Sequence, residues 1–299
     1  MGYVGGVVLL ALDALRSSLK TRRSEVTIAD LPGFWSTVSR QMAWMLAVGF
    51  PIVGLFHIAI GSFLALQAYY GSTFIDGTGA VVGVGLLRNL GALLTGMTFS
   101  GILAARMIPE LHRITRHYVY QPITDHPTAQ PGTSAGHRSG ELPYLPRGRL
   151  AAPRLFAAAV SCLLLSVWAI LVGTVVGWQA SNSFMGLSTD MFFMMMAKMV
   201  WYRDVIGLIF KGLLFGLLPA AVCCYEGLRF STRDDDPWVH VPSTIHPAVT
   251  LAPPLANPVF RATCLGILAI LVVNASWFML VYHAVPFYGP TLLKPPSPS

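Results

Sequence analysis

The chain has 299 residues, 54% of them hydrophobic and 11% charged, with a formal net charge of +7. Soluble globular chains carry about 25% charged residues, so a soluble enzyme built around one large core is excluded. The composition suits an all-α polytopic membrane protein: one membrane domain joined by short polar connections. The four cysteines, Cys162, Cys223, Cys224 and Cys264, lie in apolar runs. They lack the paired spacing of a zinc site or a disulfide framework and read as small packing residues.

Residues 1–41 form an N-terminal segment. It opens MGYVGGVVLLALDAL, without the basic region and cleavage pattern of a secretory signal. Gly6 stands where a myristoylation signal needs Ser or Thr. Residues 4–23 predict a helix lying on a membrane surface. Asp13, Arg16, Lys20 and Arg23 share one face, and Val8, Leu12, Leu15 and Leu19 share another.

A membrane domain over 42–283 follows. Five apolar runs, near 42–68, 79–105, 155–178, 204–225 and 261–283, each reach the ~20 residues that a crossing needs. Polar loops at 106–154 and 226–260 contain long stretches rich in Pro, Gly, Ser and Thr, expected to be disordered. Residues 284–299 form a tail. Lys and Arg are distributed unequally between the two sides. Fifteen, counting Arg261 at the start of the fifth run, belong to the N-terminal segment and these two loops, three lie on the opposite side, and Arg88 and Lys211 fall inside spans. The positive-inside rule then puts the N-terminus in the cytoplasm and, after five crossings, the C-terminus outside.

The second run reads GVGLLRNLGALL, with Arg88 in its middle. Arg88 begins a row at spacing four, continued by Ala92, Gly96, Ser100 and Ala104. Small residues so spaced let helices approach closely. The row turns Arg88 toward protein or a cavity. At that depth a charge costs roughly 3 kcal/mol or more unless partnered. Two readings stand: contact with a substrate, or a structural charge held by carbonyls or snorkelling to the surface. In the first span, Gly54, His57 and Gly61 share a face, and His57 reads as a packed, hydrogen-bonded histidine. In the fourth, Asp204 and Lys211 lie seven residues apart on one face. They form either a polar track or groups that are solvated or paired within the bundle. The methionine-rich stretch DMFFMMMAKMVWYRD (190–204) suits an adaptable apolar surface for a lipid or partner. Cu(I) would also accept thioethers, but no Cys or His accompanies them, so no metal site is expected. The chain has no phosphate-binding loop and no nucleophile–base constellation, so neither ATP hydrolysis nor other catalysis is expected of it. The basic loops lack interleaved aromatics, so nucleic acid is not an expected partner.

Several ordered segments resemble the MlaE/YrbE permeases, the membrane subunits of MCE-type ABC lipid transporters. SRQMAWMLAVGF (39–50) is similar to the family's Arg-Gln start of the first span, and GSFLALQAYYG (61–71) to its end. LLRNLGALLTGMTFSGILAAR (86–106) resembles the Leu-Leu-Arg-Glu-Leu-Gly-Pro segment and the small residues behind it. APRLFAAAV (152–160) resembles the Pro-Arg start of span three. DVIGLIFKGLLFG (204–216) and CYEGL (224–228) resemble span four and its exit. The resemblance covers about residues 34–110 and 152–283.

It implies an N-terminal interfacial helix plus five transmembrane helices in an MlaE-like permease fold. The implied function is movement of lipids (phospholipid, fatty acid or sterol-like) between a bacterial inner membrane and extracytoplasmic MCE proteins. Implied partners are a second permease copy or sister permease, a cytoplasmic ABC ATPase that holds ATP and Mg, the MCE proteins and the lipid. No cofactor is implied for this chain. Arg88, Asn89, Lys211, Asp204 and His57 are the substrate-pathway candidates. Glu110, His112 and Arg113, within 107–120, are the candidates for ATPase coupling. Asn89 replaces the family's Glu, Ala92 its Pro, and the Glu-Gln pair of the coupling helix is missing. These departures leave an alternative: a non-transporting scaffold, or a degenerate partner permease that anchors MCE proteins or heterodimerises with an active sister. A membrane-embedded lipid enzyme is a third option without a catalytic constellation to support it.

Overall fold

A computed structural model describes residues 2–20, 33–71, 78–120, 147–229 and 257–283. Among them the chain is helical and has no strand. Helix α1 is Tyr3–Lys20 and α2 is Phe34–Gly71. Helix α3, Thr78–Gly85, passes through a π-helical turn, Leu86–Leu90, into α4, Gly91–Tyr120. Then come α5 (Arg147–Met185), α6 (Thr189–Met199), α7 (Tyr202–Arg229) and α8 (Pro258–Phe278), which runs into a second π turn, Met279–His283.

Among the described residues, five stretches are long and apolar enough to cross a membrane: Phe34–Tyr70, Val81–Thr115, Arg147–Met185, Tyr202–Leu228 and Pro258–Val281. The chain is a multi-pass membrane protein. Successive crossings alternate in direction. One end of the bundle carries α1, and the other carries α3 and α6. The helices outrun the apolar runs read from sequence. Residues 106–120 and 147–154, expected in a loop, are helical. A helix satisfies its own main chain, so it continues into polar sequence wherever side chains find partners. The Pro- and Ser-rich stretches, the tail, and the residues from Thr21 to Arg23 lie outside the described residues.

Glycines set the closest helix contacts, as van der Waals packing requires where lipid removes the hydrophobic drive between helices. Helices α2 and α5 run parallel. Gly49 faces Leu165, Gly54 faces the Trp168 indole, and Gly61 lies against the backbone of Gly173. Trp168 Nε1 donates to the Phe50 carbonyl across the same seam. The Gly54–His57–Gly61 face therefore packs on α5. On α4, the row Ala92, Gly96, Ser100 and Ala104 is buried. Gly96 receives Phe215 of α7 and Ile270 of α8, and Ser100 donates to the Thr263 carbonyl of α8 at 3.4 Å.

Two short helices cap the α6 end. Helix α5 stops at Gly186, whose φ of +65° reverses the chain. Ser188 then caps α6 by accepting from Met191 N–H. Gly79 and Gly83 of α3 admit the Phe192 main chain and the Met196 side chain. The methionine-rich stretch is thus in large part a docked helix, with Met194 and Met199 exposed.

At the other end, α1 buries Leu10 and Ala14 against α5 and α7. Gly6 faces the Tyr225 ring. Val8, Leu12 and Leu15 point outward instead. The face packed on the protein is therefore offset from the apolar stripe read in the sequence. Small residues allow the docking, and the bulky stripe is left for the surroundings.

Candidate functional site: a buried ion cluster on a π turn

The π turn places Arg88 within a continuous helix. The Gly91 N–H donates to the Leu86 carbonyl, an i→i−5 bond, and a Cβ on Gly91 would lie 2.7 Å from that oxygen. Glycine alone fits this approach without displacing the helix. Such turns widen a helix locally and recur at functional positions. Here it presents the Arg88 side chain to α7. Nε and Nη2 donate to Oδ1 and Oδ2 of Asp204 at 3.0 and 2.8 Å, a bidentate pair. The Asp204 side chain is fully buried, whereas Arg88 keeps 24% of its side chain open.

Asp204 is held from its own helix as well. Its Oδ2 accepts from the Trp201 N–H at 3.1 Å, while its own N–H donates to the Trp201 carbonyl. This cap of the Trp201 N–H at the start of α7 suits a carboxylate, because unpaired N–H groups and the helix dipole favour negative charge there. Arg203 stacks over the Trp201 ring beside it.

Lys211, two turns along α7, is only 2% exposed. Its ammonium donates to the main-chain carbonyl of Arg88 at 3.1 Å and lies near the Phe278 ring. One residue, Arg88, thus meets Asp204 through its side chain and Lys211 through its backbone. The structure brings together three of the five pathway candidates. Asn89 adjoins them, its Oδ1 buried without a hydrogen bond among the described residues. His57 stands apart on α2: its Nδ1 donates to the Val53 carbonyl at 2.8 Å, and its Nε2 is buried. An open cavity of about 430 Å³ borders α2 and α5 near Ser62, Gln179 and Ser183, away from the cluster.

A second set of charges lies at the α1 end. Gln41 Nε2 donates to both oxygens of Glu110 at 2.8 and 2.9 Å. Arg154 donates to Glu110 at 2.7 Å and to the Leu150 carbonyl at 2.8 Å. Helices α2, α4 and α5 are tied at one carboxylate. Glu226 of α7, fully buried, accepts a bidentate contact from Arg261 of α8. Tyr3 of α1 packs edge-on to Tyr225. Burial and the adjacent Glu226 carboxylate push its hydroxyl above the usual tyrosine range.

This changes the view of the coupling candidates. Glu110 is turned inward as a tie between spans, His112 is partly buried, and Arg113 alone is exposed. Sequence reading missed Gln41, Arg154 and Glu226 as functional partners. Their signal was a polar residue at the start or exit of an apolar run.

Residues 144–250 match the family Permease MlaE. Over that stretch, about a third of its length, the chain is similar to MlaE-type permeases. The matched stretch spans α5, α6 and α7 and includes Arg154, Asp204, Lys211 and Glu226. Over 208 residues the chain is 23% identical to a probable ABC transporter permease protein of Rickettsia prowazekii (strain Madrid E), covering 67% of this chain and 73% of that one. A protein of the same description from Rickettsia typhi (strain ATCC VR-144 / Wilmington) matches with the same identity and coverage. The all-helical architecture, with five stretches able to cross a membrane among the described residues, is the one expected from the sequence.

Proposed function

We propose that this permease is the membrane subunit of an MCE-type ABC transporter. It moves lipids between a bacterial inner membrane and extracytoplasmic MCE proteins. The observation that carries the reading is the buried Arg88–Asp204–Lys211 cluster, set on a π turn within a crossing helix. Charge at that depth is costly and marks pathways in membrane proteins. Two cations, Arg88 and Lys211, suit an acidic headgroup, because phosphate and carboxylate prefer such donors. Two permeases, or one and a sister, enclose the lipid path, and a separate cytoplasmic ATPase supplies ATP and Mg. The excess of Lys and Arg at the α1 end supports a cytoplasmic location for that end and an extracytoplasmic one for the α6 end. Arg113, exposed on the cytoplasmic extension of α4, is the best-placed candidate of the three to touch the ATPase.

Purification in mild detergent, followed by identification of bound subunits and lipids, tests this. An ATPase that crosslinks to residues 107–120, with MCE protein and lipid present, is the expected result. MCE protein or a sister permease without any ATPase favours the scaffold reading, to which the inward turn of Glu110 and the missing Glu-Gln pair also lend weight.

A further inference from the structure

The cluster's bond pattern points to a latch, an inference that rests on the lipid-permease reading. We propose that Asp204 is an internal stand-in for an acidic lipid headgroup: its carboxylate occupies the edge of Arg88 that the headgroup takes, and binding exchanges one anion for the other. Three observations carry this. First, a bidentate carboxylate on a guanidinium has the geometry of a phosphate or carboxylate headgroup on the same donors. Second, the two partners depend on the pair unequally. Asp204 keeps the Trp201 N–H and the first turn of α7 when Arg88 leaves, and Lys211 is on its own helix face. Third, Arg88 keeps 24% of its side chain exposed while that of Asp204 is fully buried, so an incoming anion reaches the cation first.

The exchange breaks the side-chain tie between the π turn and α7 at the α6 end. Lys211 stays on the Arg88 carbonyl, so movement of the π turn is felt on α7. The latch discriminates by charge. A headgroup with net negative charge replaces Asp204 without leaving a buried cation uncompensated. A zwitterionic headgroup brings its own amine next to Arg88 and Lys211, and like charges oppose it.

The test uses the full-length purified protein in nanodiscs of phosphatidylcholine doped with phosphatidylglycerol, with retained lipid measured by native mass spectrometry. Wild type should prefer phosphatidylglycerol. Asp204→Asn should raise that preference by about tenfold, since the competing anion is gone. Arg88→Ala should abolish it, alone or combined with Asp204→Asn. The charge swap Arg88→Asp with Asp204→Arg keeps an ion pair and guards against misfolding, and it should also lose the preference. Loss of phosphatidylglycerol in folded Asp204→Asn, or its retention in the swapped protein, overturns the latch. Inorganic phosphate at millimolar concentration should not displace the lipid; displacement would assign the site to a free oxyanion. The measurement needs neither ATPase nor MCE protein. A positive result beside failed copurification would therefore sink the transporter reading and leave the latch intact.

Discussion

The two ends of the bundle handle buried charge differently. At the α1 end, each of two buried pairs matches one arginine to one carboxylate: Arg154 with Glu110, and Arg261 with Glu226. Gln41 adds a neutral donor to Glu110. The backbones there stay α-helical, with Pro109 and Pro153 beside Glu110 and Arg154, and each pair joins separate crossings. At the α6 end, Arg88 pairs with Asp204 and Lys211 donates to the Arg88 carbonyl, beside a π turn. The pairs at the α1 end tie crossings together, and on the proposed reading the Arg88–Asp204 pair, set on a π turn with Lys211 on the Arg88 carbonyl, is where an anion enters.

The largest effect expected from breaking this contrast is on stability at the α1 end. Glu110→Ala would leave Arg154, 3% exposed, as a buried cation without its carboxylate. The loss should be about 3–5 kcal/mol, read as lost folded yield and a lower unfolding temperature in detergent. Gly61→Ala comes next. Its Cβ would meet the Gly173 backbone, which cannot rotate away. The α2–α5 seam must open, at about 1–3 kcal/mol, and the same thermal measurement checks it. Lys211→Met should do the reverse of Glu110→Ala. Replacing a buried ammonium with an apolar chain of similar length should leave thermal stability unchanged or raise it, while lipid transfer to MCE protein falls severalfold. If stability collapses instead, Lys211 is a tie like those at the other end.

The smallest effect concerns α1. The raised pKa of Tyr3 favours its neutral form in the folded chain. Its contribution is therefore intact below the ordinary tyrosine value of about 10 and lost as pH rises beyond it. Limited proteolysis of α1 should accelerate at strongly alkaline pH in wild type, and Tyr3→Phe should blunt that acceleration.

Much of this architecture was legible in the sequence, because a crossing helix must be apolar over a fixed length. The seam behind Arg88 and the shared face of Asp204 and Lys211 followed from helical spacing. The pairing of Arg88 with Asp204 did not, because it joins residues 116 positions apart and periodicity describes one helix at a time. Nor did the π turn, whose only local sign is glycine at positions 85 and 91 flanking LLRNL. Glu110 was read as facing a partner protein, since polar residues just past an apolar run ordinarily face water. Gln41 and Arg154, from two other crossings, turn it inward. Helix α6 was hidden for a related reason: a short methionine-rich run is helical here because α3 offers it glycines to pack on.

The most direct test of the central claim is lipid retained by purified Arg88→Ala protein, compared with wild type at equal folded yield. The account predicts that acidic lipid falls to the level of nonspecific annular binding while assembly stays intact. Acidic lipid retained at the wild-type level by a well-folded variant would contradict it and make the Arg88–Asp204 pair one more structural tie.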